Sequence, residues 1–121
     1  MNNHNKSLLS SFKYALEGIW HALVNNRNLR IDFFCAFLVG LLGFYFRITF
    51  LETVILIATI VLVISSEMIN TSLEEMVDLI TQEHKKEAKT AKDVAAGMVL
   101  ISAIGSIIIG ILIFAPYILN I

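Results

Sequence analysis

Proline and cysteine each occur once in the 121 residues, at Pro116 and Cys35, and only 16% of the chain is charged. The single cysteine lies inside an apolar run, which excludes an internal disulfide and any CxxC zinc or redox site. The six glycines, at 18, 40, 43, 97, 105 and 110, leave positions 44 to 96 without one. No GxxxxGK[ST] phosphate loop exists, so any nucleotide site must be built differently. Charge of either sign is scarce, with nine Lys and Arg against ten Asp and Glu. No basic run is interleaved with aromatics, so nucleic acid is not an expected partner. The opening stretch "MNNHNKSLLSSFKYALEGIW" lacks the uninterrupted apolar core and the A-x-A-type site of a cleavable signal peptide. There is no internal repeat and no low-complexity linker.

What fills the chain instead is apolar: 57% hydrophobic residues and a mean hydropathy of +0.77. Soluble domains carry about a quarter charged residues, so this composition predicts an all-α membrane protein. From Val94 to Ile121 no residue is charged, and about 20 apolar residues suffice to cross a bilayer. Phe33–Phe46 and Thr53–Ser66 are charge-free but short. Carried outward to Arg47 and to Ile69 they reach spanning length, with Arg47 snorkelling and Glu52 meeting water. The expected spans are therefore about 31–50, 48–69 and 94–119, with a tight turn near "FRITFLE". Phe12, Ala15, Leu16, Ile19 and Leu23 recur at helical spacing beside Lys13, Glu17 and His21, which predicts an amphipathic surface helix over residues 1–30. Eight of the nine cations fall on one side of this arrangement and Arg47 alone on the other. That side is expected to be cytoplasmic, and the C-terminus outside. The third span also carries Ser102, Ser106 and Gly110 at four-residue spacing, a pattern that lets helices approach closely within one chain or in an oligomer.

The stretch "SSEMINTSLEEMVD", residues 65–78, places acids where the second span ends. At about 100° per residue, Glu67, Glu74 and Asp78 fall within roughly 40° of one another, flanked by Asn70 and Thr71. Ile69, Leu73, Met76, Val77 and Ile80 collect on the opposite face, so residues 70–93 are expected to hold a helix extension and a cytoplasmic loop. A helix leaving the membrane with a solvated face accounts for such a pattern, and Glu75, Asp78, Glu83 and Glu87 read that way. Glu67 differs, because it sits where hydrocarbon gives way to headgroups and partial desolvation suits a general base. Lys89, Lys92 and Asp93, in "KKEAKTAKDVAAG", stand at the entrance of the third span, where charges also commonly anchor a helix. Together Glu67, Asn70, Glu74, Lys92 and Asp93 form a polar cluster able to hold a divalent cation and phosphate oxygens.

"E-x-x-N-T-S-L-E-x-x-V-D" followed by "A-K-x-A-K-D-x-A-A-G" resembles the signature of the prokaryotic diacylglycerol kinase family, small integral-membrane lipid kinases. The similarity runs from about Tyr14 to the end of the third span. The resemblance implies a homotrimer of subunits with one surface helix and three spans, working as a single domain over residues 1–121, with ATP as phosphate donor, magnesium as metal and a membrane lipid alcohol as acceptor. It gives Glu67 the role of base on the lipid hydroxyl and Glu74 that of metal ligand. Asn70, Lys92 and Asp93 match nucleotide-contacting positions, as do Tyr14, Glu83 and His84 more loosely. Arg30 and Asp32 match the basic and acidic places at the first span's entrance, on the lipid-substrate side. The sequence departs from the family at Asn26, where a glutamate usually supplies a second metal ligand. An amide oxygen there brings no charge, which predicts weaker second-metal binding. The "RN" of "NNRN" and the stretch "LITQEHKKEAKTAKDVAAG" look more like undecaprenol kinases than diacylglycerol kinases. A diacylglycerol kinase, an inactive lipid-binding scaffold and a small multidrug-type transporter are the alternatives.

Overall fold

The computed structural model describes residues 3–121, with side chains from Ser7 onward. Four helices follow in chain order: α1 Asn3–Asn25, α2 Arg27–Phe46, α3 Phe50–Ile80 and α4 Lys86–Leu119. There is no strand among the described residues. The helices α2, α3 and α4 are each long and apolar enough to cross a membrane.

The chain is thus an all-helical membrane protein. Its large apolar side chains, among them Phe44, Phe50, Ile101 and Leu112, point outward, as they do where the solvent is lipid. The buried core is small, centred on Leu56, Ile113 and Phe114 with Val39, Phe46 and Ile109 against them. On α1, Leu8, Phe12, Leu16, Trp20 and Val24 remain exposed, which suits a helix resting at a membrane interface.

The break between α1 and α2 falls at Asn26, earlier than the boundary at residue 30 that periodicity suggests. Asn26 leaves the helical region at φ −119°, ψ 105°, and its side chain accepts the Leu29 N–H, capping α2. Residues 1 and 2 of the expected surface helix lie outside the described residues. Arg30, one turn into α2, donates to the Leu23 and Val24 carbonyls at 2.7 and 2.9 Å. Those are the unpaired carbonyls at the end of α1, where a cation also meets the negative end of the helix dipole.

A three-residue link, Arg47 to Thr49, joins α2 to α3. Arg47 closes α2 in the left-handed region at φ 52°, with its N–H directed to the Gly43 and Phe44 carbonyls. Ile48 folds back over Gly43, where an added Cβ would stand 3.0 Å from Ile48 Cδ1. Thr49 and Glu52 form a capping box that starts α3. Glu52 also accepts a hydrogen bond from the Tyr117 hydroxyl, tying this end of the hairpin to the end of α4.

α3 has 31 residues, or about 46 Å at 1.5 Å per residue, against a hydrocarbon core of ~30 Å. Its apolar sequence occupies the N-terminal part, so the surplus emerges beyond Ser66. That surplus carries the acids, and α4, which packs chiefly on α3, brings its lysine-rich N-terminal end alongside them.

Candidate functional site

Glu67 is only 4% exposed, an unusual position for a carboxylate. Ser66 beside it is buried too and turns its hydroxyl back to the Val63 carbonyl at 2.8 Å. The Glu67 carboxylate accepts a hydrogen bond from Asn26 Nδ2 at 3.1 Å, its one side-chain partner among the described residues. The same amide nitrogen donates to Thr71 Oγ1 at 2.7 Å, and the Thr71 hydroxyl donates to the Glu67 carbonyl at 3.0 Å. The corner between α1 and α2 is thereby fastened to α3 at the one buried acid.

Asp32, on α2, lies within electrostatic reach of Glu67. Its Oδ2 is buried with no hydrogen-bond partner, a state that calls for an explanation in a folded protein. Asp32 stands at one end of an apolar groove of about 600 Å³ between α2, α3 and α4, lined also by Val39, Ile60, Val63, Ile107 and Phe114. Val63 and Ile64 of this lining are one turn before Glu67, so the groove ends about one helical turn from the buried acid.

Farther along α3, Asn70 Nδ2 donates to Glu74 Oε1 at 3.3 Å, while Asn70 Oδ1 is buried without a partner. Lys92 reaches across from α4 to Asp78 at 2.6 Å, within electrostatic reach of Glu74. Below the α3–α4 connection opens a second hollow of about 580 Å³, lined by Asp78, Glu83, His84, Lys85, Lys89 and Lys92. Glu67, Glu74 and Asp78 therefore line α3 from an apolar groove to a basic hollow, over about 16 Å of helix.

The other expected site residues are distributed as follows. Asp93 pairs with Lys89 on its own helix at 2.6 Å. Glu83 lies 3.9 Å from Lys85 in the connection, and His84 lines the hollow. Tyr14 is exposed on α1, two turns before His21, which meets Glu75 of α3 at 2.8 Å. Arg30 is turned to the carbonyls of α1. The oxygen of Asn26, which a metal would require, faces the Leu29 N–H at 3.2 Å. Among the described residues no three His, Cys, Asp or Glu side chains converge on a metal position.

That distribution still fits magnesium, which commonly takes one or two protein oxygens and completes its shell with water and phosphate. The Glu74 carboxylate and the unpartnered Asn70 oxygen are of the right type, one turn apart. The helical period puts Asp78 on the same face as Glu67 and Glu74, but both it and Glu75 read there as solvated, and the Lys92 contact of Asp78 has no signal in the sequence. The Glu75 pairing with His21 spans 54 positions and had no local signal.

The fold and this site define a small, all-helical membrane protein with one buried acid near an apolar groove and a basic hollow farther along the same helix. The profile described as "Prokaryotic diacylglycerol kinase" matches residues 13–114. The undecaprenol kinase of Bacillus subtilis is 40% identical over 114 residues, covering 94% of this chain and 93% of the relative. A diacylglycerol kinase of Synechocystis is 37% identical over 115 residues, covering 94% of this chain and 66% of the relative. A diacylglycerol kinase of Haemophilus influenzae is 32% identical over 109 residues, covering 88% and 92%. The chain belongs to the prokaryotic diacylglycerol kinase family, and its enzyme class is lipid kinase. Membership sets aside the multidrug-transporter alternative.

Proposed function

We propose that the chain transfers the γ-phosphate of ATP to the primary hydroxyl of a membrane lipid alcohol, with undecaprenol preferred to diacylglycerol. The observation that carries the reading is the placement of buried Glu67, with an apolar groove on one side and acids leading to a lysine-lined hollow on the other. A lipid alcohol presents its hydroxyl at the headgroup plane, where α3 leaves the hydrocarbon. Glu67 takes the hydroxyl proton as the lipid oxygen attacks the γ-phosphorus in line, the bond to the bridging oxygen breaks, and ADP departs. Lys92, near the nucleotide, spreads the charge of the transferring phosphoryl group. Glu74 and the Asn70 oxygen would hold magnesium, which would supply neutralisation of phosphate charge. Asp93, Glu83, His84 and Tyr14 are nucleotide-side residues of lesser weight, and Asp32 lies on the acceptor side. The orphaned oxygens of Asp32 and Asn70 support a site completed by substrates.

The acceptor preference is supported by the 40% identity to a relative named undecaprenol kinase and by the motif context around "NNRN". The working protein is a homotrimer, as the family resemblance implies, in a bacterial plasma membrane; the cation asymmetry supports an orientation with the N-terminus and the α3–α4 connection cytoplasmic and the C-terminus outside.

The test offers labelled ATP and magnesium to purified protein in mixed micelles, with undecaprenol or diacylglycerol supplied separately. Magnesium-dependent label in lipid, greater with undecaprenol, is the expected result. Greater transfer to diacylglycerol would reverse the acceptor alone. No transfer to either alcohol by folded protein would replace the kinase with an inactive lipid-binding scaffold.

A further inference from the structure

The amide of Asn26 is oriented without ambiguity. The Leu29 N–H is only a donor, so the group facing it at 3.2 Å is the amide oxygen. The nitrogen is then directed at Glu67 Oε2 and Thr71 Oγ1, at 3.1 and 2.7 Å. Thr71 gives its own proton to the Glu67 carbonyl, which leaves its oxygen free to accept from Asn26. Both amide protons thus have acceptors on α3, and one of those acceptors is the carboxylate of the buried acid.

We infer that Asn26 is a positioning residue, which fixes the Glu67 carboxylate through one oxygen and leaves the other for the acceptor hydroxyl. The inference rests on the proposed function, since it concerns the base of that reaction. Chain geometry favours such a role. Asn26 sits at a break between two helices, its backbone is extended, and its oxygen is held by the cap, so the nitrogen has little freedom to move. A buried carboxylate with no donor near it would swing toward water. The Asn26 amide donates a hydrogen bond that holds it in place. A glutamate at this corner would face Glu67 as a second carboxylate and would need a cation between them. Asparagine makes that cation unnecessary at this position.

Asn26→Asp separates this role from two others. Aspartate caps a helix about as well as asparagine, so a residue that only caps would be replaced without loss. Aspartate binds magnesium better than an amide, so a metal ligand would be improved. A positioning donor, by contrast, is destroyed, because the carboxylate cannot donate and repels Glu67. The expected result in the micelle assay is a fall in kcat of about tenfold to a hundredfold, with KM for Mg-ATP and half-saturating magnesium within about twofold of wild type. Asn26→Ser, which keeps a capping oxygen and removes the amide donor, is expected to lower kcat in the same way if Asn26→Asp fails to fold. Unchanged kcat in the folded variant would overturn the inference, and so would a fall in half-saturating magnesium. Wild-type protein that transfers no phosphate would remove the proposed function and this inference with it, whereas active wild type beside an equally active Asn26→Asp removes the inference alone.

Discussion

Two carboxylates on one helix face, seven positions apart, are asked for different chemistry because their surroundings differ. Glu67 is buried beside apolar residues and holds one amide donor. Glu74 lies on the exposed part of α3 next to an unpartnered amide oxygen and within reach of Lys92. Glu74→Gln is therefore expected to raise the half-saturating Mg-ATP concentration by on the order of tenfold or more, with partial rescue by excess magnesium. A magnesium titration of the variant checks it, and an unchanged curve would take Glu74 out of the metal site. Asp78 plays a third part, holding the Lys92 ammonium with both partners substantially exposed, at 39% and 65% for Lys92 and Asp78. Such an exposed, solvent-screened pair contributes little stability. Asp78→Asn should leave the unfolding midpoint in detergent nearly unchanged, and any effect on Mg-ATP affinity would come from Lys92 losing its anchor.

At the scale of elements, the helix ends decide where these residues meet. The α2–α3 hairpin is closed by Arg47 in a left-handed conformation, by Ile48 over Gly43 and by the capping box of Thr49 and Glu52. Thr49→Ala removes the side-chain half of that box and is expected to cost about 1 kcal/mol. Thermal unfolding in micelles measures this, with KM for Mg-ATP unaffected because the hairpin lies at the opposite end of α3 from the acids. The spans, the surface helix and the acidic face were legible from hydropathy and the 3.6-residue period, whereas of the hairpin only a tight turn was legible and not the capping box that starts α3. The break at Asn26 was not, since the apolar spacing of α1 continues past it and a single cap residue has no periodic signature. Nor were the contacts of Arg30, Asp78 and Glu75 legible, because each depends on how two helices cross. The two-part motif names Glu67, Asn70, Glu74, Lys92 and Asp93 as candidates. It was silent on which of them touch: Lys92 reaches Asp78 and Asp93 turns to Lys89.

For the whole molecule, the shortage of interior is the governing fact. Three spans bury few side chains, and the polar residues Ser66, Glu67 and Ser102 are buried along with Ala22, Leu29, Leu56, Ala95, Ile113 and Phe114. The apolar exterior suits lipid or a neighbouring subunit, and the proposed chemistry lies at the end where α3 and α4 carry their charged residues. The proposed orientation is open to direct labelling. In a Cys35→Ala background, Ile121→Cys should react with a membrane-impermeant thiol reagent in intact cells, while Gln82→Cys should react only after lysis. The reverse pattern would invert the topology. The central claim, that Glu67 is the base of phosphoryl transfer to a lipid alcohol, is tested most directly by turnover of Glu67→Gln at saturating Mg-ATP and undecaprenol in mixed micelles, compared with wild type. The account predicts a loss on the order of 10² or more, as for removal of a general base, with Mg-ATP affinity preserved; turnover within about twofold of wild type would contradict it.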